Sequence, residues 1–244
     1  MVFKAVLFDL DGTIRHNLPS GGEFFAAYAR QLGLHITDED RLRALRWEHF
    51  YWAESDELKQ DRLTYPDGAD FWFHYAWRQL IALGASIQQA LEYTEKVTKY
   101  MEQAYKPQSV VPEDARRLLI TLKAEGFKLA VVSNRQKSYQ EEMEELGLAD
   151  FFAFAMAGGE IKALKPEPEI FYEACRRLDV SPAEAVYIGD NYFADVVGAR
   201  RAGIEPVLYD PRGVFPDPGC AIIKSFDQLP AFLKTNFDNL RSSR

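Results

Sequence analysis

In the stretch Ala5-Val6-Leu7-Phe8-Asp9-Leu10-Asp11-Gly12-Thr13, an apolar run leads directly into two carboxylates. An unbroken apolar run is typical of a strand that is covered on both faces, as strands of a parallel sheet are. Asp9 and Asp11 are two residues apart, so extended backbone would place them on one face, and Gly12 then allows the chain to turn sharply. The pattern predicts a carboxylate pair at the end of a buried strand. Taken alone, it is also compatible with an ordinary turn built from Asp and Gly.

Three more apolar runs predict strands of the same kind further along the chain. A helix is predicted over Glu113–Glu125, because its apolar residues have helical spacing and the segment begins behind Pro112 and stops at Gly126. Alternating strands and helices predict a doubly wound α/β fold with a parallel, Rossmann-like sheet. The three further predicted strands are Lys128–Val132, Ala185–Ile188 and Pro206–Tyr209.

Residues 15–107 interrupt this alternation, since they show helical periodicity, are rich in aromatic residues and contain no convincing β run. We therefore predict two domains: an α/β core over 1–14 and 108–244, and an inserted all-helical domain over 15–107. Thr37 and Ser86 are in position to cap two of the inserted helices. The predicted helices of the insertion are Gly22–Leu32, Asp38–Ala53, Ala69–Leu83 and Ile87–Ala104.

Composition and charge argue against several classes of protein. The 244 residues carry a formal net charge of -8, and the 29 Lys and Arg residues are scattered, which argues against a nucleic-acid partner. Cys175 and Cys220 are too few and too far apart for a disulfide framework or a zinc site, and they suit a reducing compartment. The apolar N-terminal segment is broken by Lys4 and Asp9, which argues against a signal peptide or a membrane span. We expect a cytoplasmic protein with no nucleic-acid or membrane partner, and the sequence does not indicate its oligomeric state.

Two further groups of polar residues follow or flank the predicted strands. Ser133 and Asn134 follow the strand that ends in Val132, where a hydroxyl and an amide can bind phosphate oxygens. Taken alone, this Ser-Asn pair is more typical of a helix N-cap. Lys165 lies in the segment 163–168, whose two prolines restrict the backbone around it. A single lysine is nevertheless usually solvated.

A second acidic group follows the predicted strand that ends at Ile188. Gly189-Asp190-Asn191 comes directly after that strand, and Asp195 lies in the first turns of the next helix, where it would also complement the positive end of the helix. Each signal is weak alone, but the carboxyl ends of parallel strands meet at one edge of a sheet. We therefore expect one crevice that combines acidic metal ligands, one lysine and neutral donors, which is what phosphoryl transfer requires.

These residues resemble the motifs of the haloacid dehalogenase superfamily, whose members carry Asp-x-Asp-Gly-Thr, a Ser or Thr, a Lys and an acidic cluster in this order. The resemblance covers residues 1–14 and 108–230, and the helical insertion is similar to the superfamily's C1 cap domain. It implies a Mg²⁺-dependent phosphatase that hydrolyses a small-molecule phosphate monoester through an aspartyl-phosphate intermediate.

The resemblance also implies a role for each site residue. Asp9 is the implied nucleophile, and Asp11 protonates the leaving oxygen and then activates water. The implied metal ligands are the Asp9 carboxylate, the Asp11 backbone carbonyl and Asp190, while Asn191 or Asp195 supports the site. Phosphoryl oxygens would be held by Ser133, Asn134 and Lys165, the last of which completes the catalytic set.

Other reactions of the superfamily are less well supported. Dehalogenases lack an acid two residues after the nucleophile, whereas Asp11 is present here. A phosphonatase needs a cap lysine of lowered pKa, and Lys59, Lys96 and Lys99 of the insertion stand in no apolar setting. A phosphomutase of the same superfamily stays open, as does a non-catalytic binding protein with this fold.

Three residues near the motifs, and the aromatic residues of the insertion, stay outside the predicted catalytic set. Arg15, His16 and Arg135 are equally compatible with surface or packing roles. For the aromatic residues, spacings of three and four favour helix packing, and a stacking pocket for a ring is the alternative. These residues are Trp47, Phe50, Tyr51, Trp52, Phe71, Trp72, Phe73, Tyr75 and Trp77.

Overall fold

The structure, a computed structural model, describes residues 3–66 and 68–234. The described chain divides into two compact units. Unit 1 is formed by the residues up to His16 together with those from Val110 onward, and unit 2 is formed by Asn17–Ser109. The sequence-based boundaries lie two residues earlier at both junctions, and the last part of the predicted core, 235–244, lies outside the described residues.

Strands and helices alternate in unit 1, whereas the elements within unit 2 are helical apart from the strand residues at its two ends. Short 3₁₀ helices lie at Ala149–Phe151, Pro182–Glu184 and Phe226–Gln228, and one π-helical turn covers Tyr192–Val196. In chain order, the strands and helices are β1 Ala5–Phe8, β2 His16–Leu18, α1 Gly21–Gln31, α2 Asp38–Trp52, α3 Asp56–Thr64, α4 Gly68–Ala82, α5 Ile87–Ala104, β3 Gln108–Val110, α6 Glu113–Ala124, β4 Lys128–Ser133, α7 Gln140–Glu145, β5 Phe154–Ala157, α8 Gly158–Ile161, α9 Pro168–Leu178, β6 Ala185–Gly189, α10 Val197–Arg201, β7 Glu205–Tyr209 and β8 Ala221–Ile223.

Six strands of unit 1 form one parallel sheet in the order β5-β4-β1-β6-β7-β8. The last residue of β1, Phe8, lies opposite Val131 of β4 and Ile188 of β6. The predicted doubly wound α/β core is confirmed, and all four predicted strands are present. The sequence pattern does not single out β5 and β8, because β5 contains two alanines and β8 has only three residues. β2 and β3 form a separate two-stranded sheet.

The parallel sheet has helices on both faces, and alternate side chains of β1 pack against the helices of opposite faces. Val6 and Phe8 pack in one cluster with Leu119 of α6, whereas Leu7 packs in another with Phe171 of α9. All four residues of β1 are fully buried. Burial on both faces explains why this strand shows no alternation of polar and apolar residues. Burial of the Val6, Leu7 and Phe8 side chains contributes about 1.5–3 kcal/mol each to stability.

The described residues of unit 2 form five helices, α1 to α5. Three of them begin with a capping box, at Ser20, Thr37 and Ser86, in which the cap side chain and the third helical residue satisfy each other's backbone N–H groups. The predicted caps at Thr37 and Ser86 are confirmed. α3 was not predicted, because its nine residues are mostly polar and buried only at Leu58 and Asp61.

Asp61 ties α3 to its neighbours through a buried polar network. Its carboxylate accepts a hydrogen bond from the Tyr51 hydroxyl at 2.9 Å and two from Arg78, at 2.8 and 3.1 Å. His74 Nε2 lies 3.4 Å from the same carboxylate. Tyr51 and Leu58 also lie in an aromatic cluster of α2, α3 and α4. Most of the aromatic residues of this cluster therefore serve helix packing, as the residue spacing favours.

Both cysteines are free thiols. Cys175 is buried in α9, and Cys220 is half-buried near the end of unit 1. Within the residues 3–66 and 68–234, no helix combines the length and the apolarity that crossing a membrane would require.

Candidate active site

Three carboxylates meet at the carboxyl edge of the parallel sheet. Asp9 follows β1 and Asp190 follows the neighbouring strand β6, and the Asp9 backbone N–H donates to the Ile188 carbonyl at 2.8 Å. Asp195 lies in the π-helical turn that comes next. One carboxylate oxygen from each of the three residues lies within 4.8 Å of the other two. Strand ends that are far apart in the chain thus bring Asp9, Asp190 and Asp195 together.

Lys165 reaches this cluster from the loop before α9. Its side chain is buried, and Nζ donates to Asp9 Oδ1 at 2.5 Å and to Asp195 Oδ1 at 2.7 Å. The third acceptor is the Tyr187 hydroxyl oxygen at 3.0 Å. Because an ammonium has three donors, these contacts satisfy it completely. Lys165 is therefore a fixed positive charge within the cluster and not a solvated surface lysine.

The cluster combines three carboxylates with one ammonium, so negative charge exceeds positive charge in a buried place. Burial, reinforced by the charges of Asp195 and Asp190, raises the pKa of Asp9 well above its ordinary value. Burial and the Asp195 carboxylate likewise raise the pKa of Asp190 to about 7. Burial alone would lower the pKa of Lys165, but the Asp195 and Asp9 carboxylates outweigh it and hold that pKa well above the usual range. The site has the electrostatics of one that accommodates an additional cation.

Thr13 links the first motif to Asp190. Its hydroxyl donates to Asp190 Oδ1 at 3.2 Å, accepts the Asp190 backbone N–H at 3.1 Å and lies 3.4 Å from Asp9 Oδ2. Gly12, the residue before it, has a φ of 86°, which residues with a side chain rarely adopt. A Cβ at Gly12 would also lie 2.3 Å from Asp190 Oδ2. Position 12 therefore requires glycine both for its backbone and for the space that Asp190 occupies.

The turn that carries Asp195 is capped by Asn191. Asn191 Oδ1 accepts the backbone N–H groups of Phe193 and Ala194 at 3.0 and 3.1 Å. The Asn191 backbone N–H donates to Asp195 Oδ2 at 2.9 Å. A Cβ at Gly189 would lie 2.2 Å from that same oxygen, so β6 must end in glycine for Asp195 to occupy its place. In this arrangement Asn191 orients Asp195.

Ser133 and Asn134 lie at the end of β4, the other neighbour of β1. The buried Ser133 hydroxyl accepts the Arg135 backbone N–H at 3.4 Å. The Asn134 amide binds the backbone of Lys165 twice: Nδ2 donates to the carbonyl at 2.8 Å, and Oδ1 accepts the N–H at 2.7 Å. Asn134 thus fixes the loop that carries Lys165. That its side chain holds a phosphoryl oxygen stays a prediction.

Asp11 lies outside the buried cluster and is paired with two arginines. Its side chain is 41% exposed. Arg135 Nε and Nη2 donate to its two oxygens at 2.8 Å each, and Arg15 Nη1 donates to Oδ1 at 3.1 Å. Glu142 of α7 contacts both guanidinium groups, with Arg15 Nε at 3.0 Å and with Arg135 Nη1. Asp11, Arg15, Arg135 and Glu142 form a four-residue network of alternating charge.

Two hydroxyls of the site are absent from the predicted set. Thr13 belongs to the motif Asp9-Leu10-Asp11-Gly12-Thr13, which by itself does not indicate a role for the threonine. Tyr187 interrupts the apolar strand β6 with one hydroxyl, which accepts from Lys165 and donates to the Val132 carbonyl at 2.9 Å. A buried phenol needs a hydrogen-bond partner. A lone tyrosine in an apolar strand that leads into the acidic cluster therefore indicates that its hydroxyl hydrogen-bonds to a polar group of the site.

The sequence does not decide whether Arg15, His16 and Arg135 belong to the site, and the structure separates the two arginines from the histidine. Arg15 and Arg135 both contact Asp11, the first from four residues away in the chain and the second from 124 positions away. His16 packs edge-on against Tyr209, with 6.0 Å between ring centres, and burial lowers the pKa of its imidazole. His16 is thus a packing residue in its neutral form.

The donor set of the cluster fits a hard divalent cation. Asp9, Asp190 and Asp195 supply only oxygen donors, which Mg²⁺ prefers, and Mg²⁺ needs few protein ligands because substrate oxygens and water complete its octahedron. The excess of negative charge in the cluster also favours binding of a divalent cation. This arrangement can hold a divalent metal ion.

Comparison with known proteins identifies the family of the chain. Residues 3–203 match the family model described as haloacid dehalogenase-like hydrolase. The chain is 34% identical over 218 residues to a glyceraldehyde 3-phosphate phosphatase of Methanopyrus kandleri, which covers 88% of this chain and 87% of that protein. It is 30% identical over 211 residues to a ribulose-1,5-bisphosphate 5-phosphatase of Halopiger xanaduensis, with 85% and 84% covered.

Among solved structures, a HAD phosphatase from Thermococcus onnurineus is similar along nearly the whole chain. It shares 28% of its residues with this protein, has a TM-score of 0.56 and covers 95% of this chain and 98% of its own. The predicted resemblance is confirmed, as is the predicted class of enzyme, a hydrolase whose relatives named here are phosphatases. This chain therefore belongs to the haloacid dehalogenase-like hydrolases.

Proposed function

We propose that this protein is a Mg²⁺-dependent phosphatase that hydrolyses a small-molecule phosphate monoester, with Asp9 as the nucleophile. The observation that carries the proposal is the contact of Asp9 with Lys165 inside a group of three carboxylates. Although burial raises the pKa of Asp9, the Lys165 ammonium opposes that shift and so favours the anionic form, which is the form that attacks phosphorus. The relatives named for glyceraldehyde 3-phosphate and ribulose 1,5-bisphosphate support a small-molecule substrate. In this proposal unit 1 is the catalytic core and unit 2 is its cap domain.

In the first step, a carboxylate oxygen of Asp9 attacks phosphorus, and the bond between phosphorus and the ester oxygen breaks. The leaving oxygen takes a proton from Asp11 and departs as an alcohol, while Asp9 now carries the phosphoryl group. Lys165, held in place by Asp195 and Tyr187, offsets the negative charge on the phosphoryl oxygens. Ser133 donates to another of these oxygens, and Asn134 positions Lys165 through its backbone.

In the second step, water attacks the phosphorus of the aspartyl-phosphate, and Asp11 takes a proton from that water. The bond between phosphorus and Asp9 breaks, inorganic phosphate leaves, and the Asp9 carboxylate is restored. Asp11 is suited to both proton transfers because it is two residues from Asp9 and its side chain is accessible to substrate and water. To transfer a proton, Asp11 must give up its contacts with Arg135 and Arg15 for contacts with substrate or water. Glu142 can keep both arginines paired during this exchange.

The metal ion would be held by the carboxylates of Asp9 and Asp190 and by the backbone carbonyl of Asp11, with Asp195 in support. When bound, Mg²⁺ supplies the positive charge that reduces the repulsion between an anionic nucleophile and an anionic phosphate. Asn191 contributes by orienting Asp195 through the capped turn.

Release of inorganic phosphate from a panel of phosphate monoesters tests this function. The wild type is compared with Asp9→Asn, which keeps the shape of the side chain and cannot attack, and with Asp217→Asn, an exposed site with the same chemical change. We expect release that requires Mg²⁺ and Asp9 and is unaffected by the control. Release that Asp9→Asn leaves intact would overturn the proposal. With a sugar phosphate as substrate, an isomer in place of free phosphate would favour the phosphomutase alternative.

A further inference from the structure

The connection from β7 to β8, residues 210–220, begins with a buried carboxylate. Asp210 directly follows β7 and is only 4% exposed. Its two oxygens accept the backbone N–H groups of Val214 and Phe215, at 2.9 and 2.8 Å. A buried carboxylate is costly unless hydrogen bonds satisfy it, and here each oxygen is satisfied by the backbone of the same connection. Asp210 therefore fixes where the backbone of Phe215 lies.

The Phe215 side chain reaches the turn that follows β6. Its ring stacks on that of Tyr192, with 5.4 Å between ring centres and 28° between the ring planes. It also lies edge-to-face with Phe193 at 5.9 Å, and Tyr192 and Phe193 lie edge-to-face with each other at 5.3 Å. Pairs of rings in these arrangements attract each other beyond the effect of their burial. Tyr192, Phe193 and Phe215 thus form one ring cluster.

The ring cluster includes the first two residues of the π-helical turn. Tyr192 and Phe193 stand between Asp190, which follows β6, and Asp195, the fourth residue of the turn. Because the rings and the two carboxylates belong to one short stretch of backbone, the position of the rings limits where the carboxylates lie. Affinity for a metal ion depends on such support, since surrounding residues orient the ligands.

The end of the same connection is attached to the helix that continues the turn. Arg200 of α10 donates through Nη2 to the Pro218 carbonyl at 3.1 Å and also to the Gly219 carbonyl. α10 begins at Val197, directly after the π-helical turn. The connection therefore holds the turn and its helix at two places, through the ring cluster and through Arg200.

We propose that Asp210 and Phe215 are positioning residues of the metal site, which keep Asp190 and Asp195 where a divalent cation needs them. Asp210 fixes the backbone of Phe215, and the Phe215 ring fixes Tyr192. Both residues act through the ring cluster and not as metal ligands. The inference rests on the proposed metal site, and it adds to that site a connection that lies outside its sequence motifs.

Binding of Mg²⁺ alone to the full chain tests the proposal without any need for activity. Isothermal titration calorimetry gives the Kd for Mg²⁺, with no phosphate ester present. Phe215→Leu keeps an apolar side chain and removes the stacked ring, whereas Asp210→Ala removes both acceptors of the backbone N–H groups. Loss of a residue that orients a metal ligand typically weakens binding by about 10–100-fold. Asp210 and Phe215 act one step further away, so we expect each variant to raise the Kd by at least about fivefold.

Substitutions of Tyr192 distinguish positioning from a general loss of packing. Tyr192→Leu removes the other ring of the stacked pair and should also raise the Kd by at least about fivefold. Tyr192→Phe keeps that ring and should bind Mg²⁺ as the wild type does. In the double variant Tyr192→Leu with Phe215→Leu, the Kd should rise no further than in the weaker-binding single variant, because the two rings act as one unit.

A control variant separates the Kd from overall stability. Phe154→Leu makes the same chemical change at the start of β5, outside the ring cluster. It should leave the Kd for Mg²⁺ unchanged, whatever it costs in melting temperature. The melting temperature of each variant also identifies any loss of fold. If Asp210→Ala does not fold, Phe215→Leu and Tyr192→Leu carry the test.

The outcomes separate this inference from the proposed function. If the wild type binds Mg²⁺ and folded Phe215→Leu or Tyr192→Leu binds it equally well, the positioning role is overturned and the proposed phosphatase stands. An equal rise of the Kd in Phe154→Leu, or additive losses in the double variant, would also overturn the positioning role. Absence of Mg²⁺ binding by the wild type would overturn the positioning role and the proposed metal dependence together.

Discussion

The Lys165 ammonium lies 2.5 Å from Asp9 Oδ1, although 156 positions separate the two residues in the chain. The contact joins the loop before α9 to the end of β1, and it also brings the only described positive charge among Asp9, Asp190 and Asp195. Without it, three carboxylates would share a buried space with no opposite charge. The proposed nucleophile therefore depends on this lysine for its charge state and its position.

Replacing Lys165 tests that dependence through stability. In Lys165→Met, the Asp9 and Asp195 carboxylates lose their counter-charge in a buried site, and breaking a buried ion pair in this way costs about 3–5 kcal/mol. We expect the free energy of unfolding, measured with urea in the presence of a chelator, to fall by about 3 kcal/mol or more. Lys137→Met, at an exposed position, is the control and should change little. An equal, small change in both variants would contradict the account.

Metal binding has a readout that does not require activity. A ligand that binds only the folded state raises the melting temperature, and 1 kcal/mol of such binding corresponds to about 2–4 °C for a domain of this size. We expect Mg²⁺ to raise the melting temperature of the wild type by a few degrees and to have no such effect on Asp190→Asn. Asp217→Asn should respond as the wild type does. A shift that survives in Asp190→Asn would exclude Asp190 as a ligand.

Arg135 is expected to position Asp11 without contacting substrate. Arg135→Gln removes both guanidinium contacts with the Asp11 carboxylate, so we expect kcat to fall by about tenfold while KM changes by less than about threefold. In an Asp11→Asn background the same substitution should cause no further loss, because the residue it positions is already disabled. A tenfold loss in both backgrounds would show that Arg135 acts independently of Asp11.

Asp61 is expected to dominate the stability of unit 2. Asp61→Ala leaves the buried Tyr51 hydroxyl and the Arg78 guanidinium without their acceptor, and we expect a loss of about 3 kcal/mol in the free energy of unfolding. Tryptophan emission during urea unfolding measures it, because every tryptophan lies in unit 2. Asp56→Ala, at the exposed start of the same helix, should cost less than about 1 kcal/mol. Similar losses in the two variants would mean that the network contributes little.

The site residues at the strand ends could be predicted from the sequence, because each polar side chain directly follows an apolar run that marks a buried strand. Unbroken apolar runs mark β1, β4 and β6, and in a parallel sheet the residues that follow such runs must lie along one edge. Asp9, Asp190 and Ser133 were found in this way. Thr37 and Ser86 were found because a capping box is a local pattern, formed within four residues of chain.

Contacts between distant segments could not be predicted in this way. The pairing of Arg135 with Asp11 spans 124 positions and depends on how α7 and the turn after β1 approach each other. The sequence does not predict α3, because this helix has no apolar stripe. A buried ion pair between Asp61 and Arg78 attaches it to the rest of unit 2 instead. The spacing of the insertion's aromatic residues also does not tell which of them pack between helices and which line a pocket. Trp47 packs against the cluster that contains Tyr51, whereas Trp72 lines a pocket within unit 2.

The most direct measurement of the central claim is the location of the phosphoryl group during turnover. The enzyme is mixed with a phosphate monoester and Mg²⁺, quenched in acid within one turnover and treated with borohydride, which reduces an aspartyl-phosphate to homoserine. Peptide mass spectrometry then identifies the modified residue. The account predicts reduction at position 9 in the wild type and none in Asp9→Asn. Phosphate release with modification at another residue, or with no modified residue under conditions that trap a control aspartyl-phosphate, would contradict it.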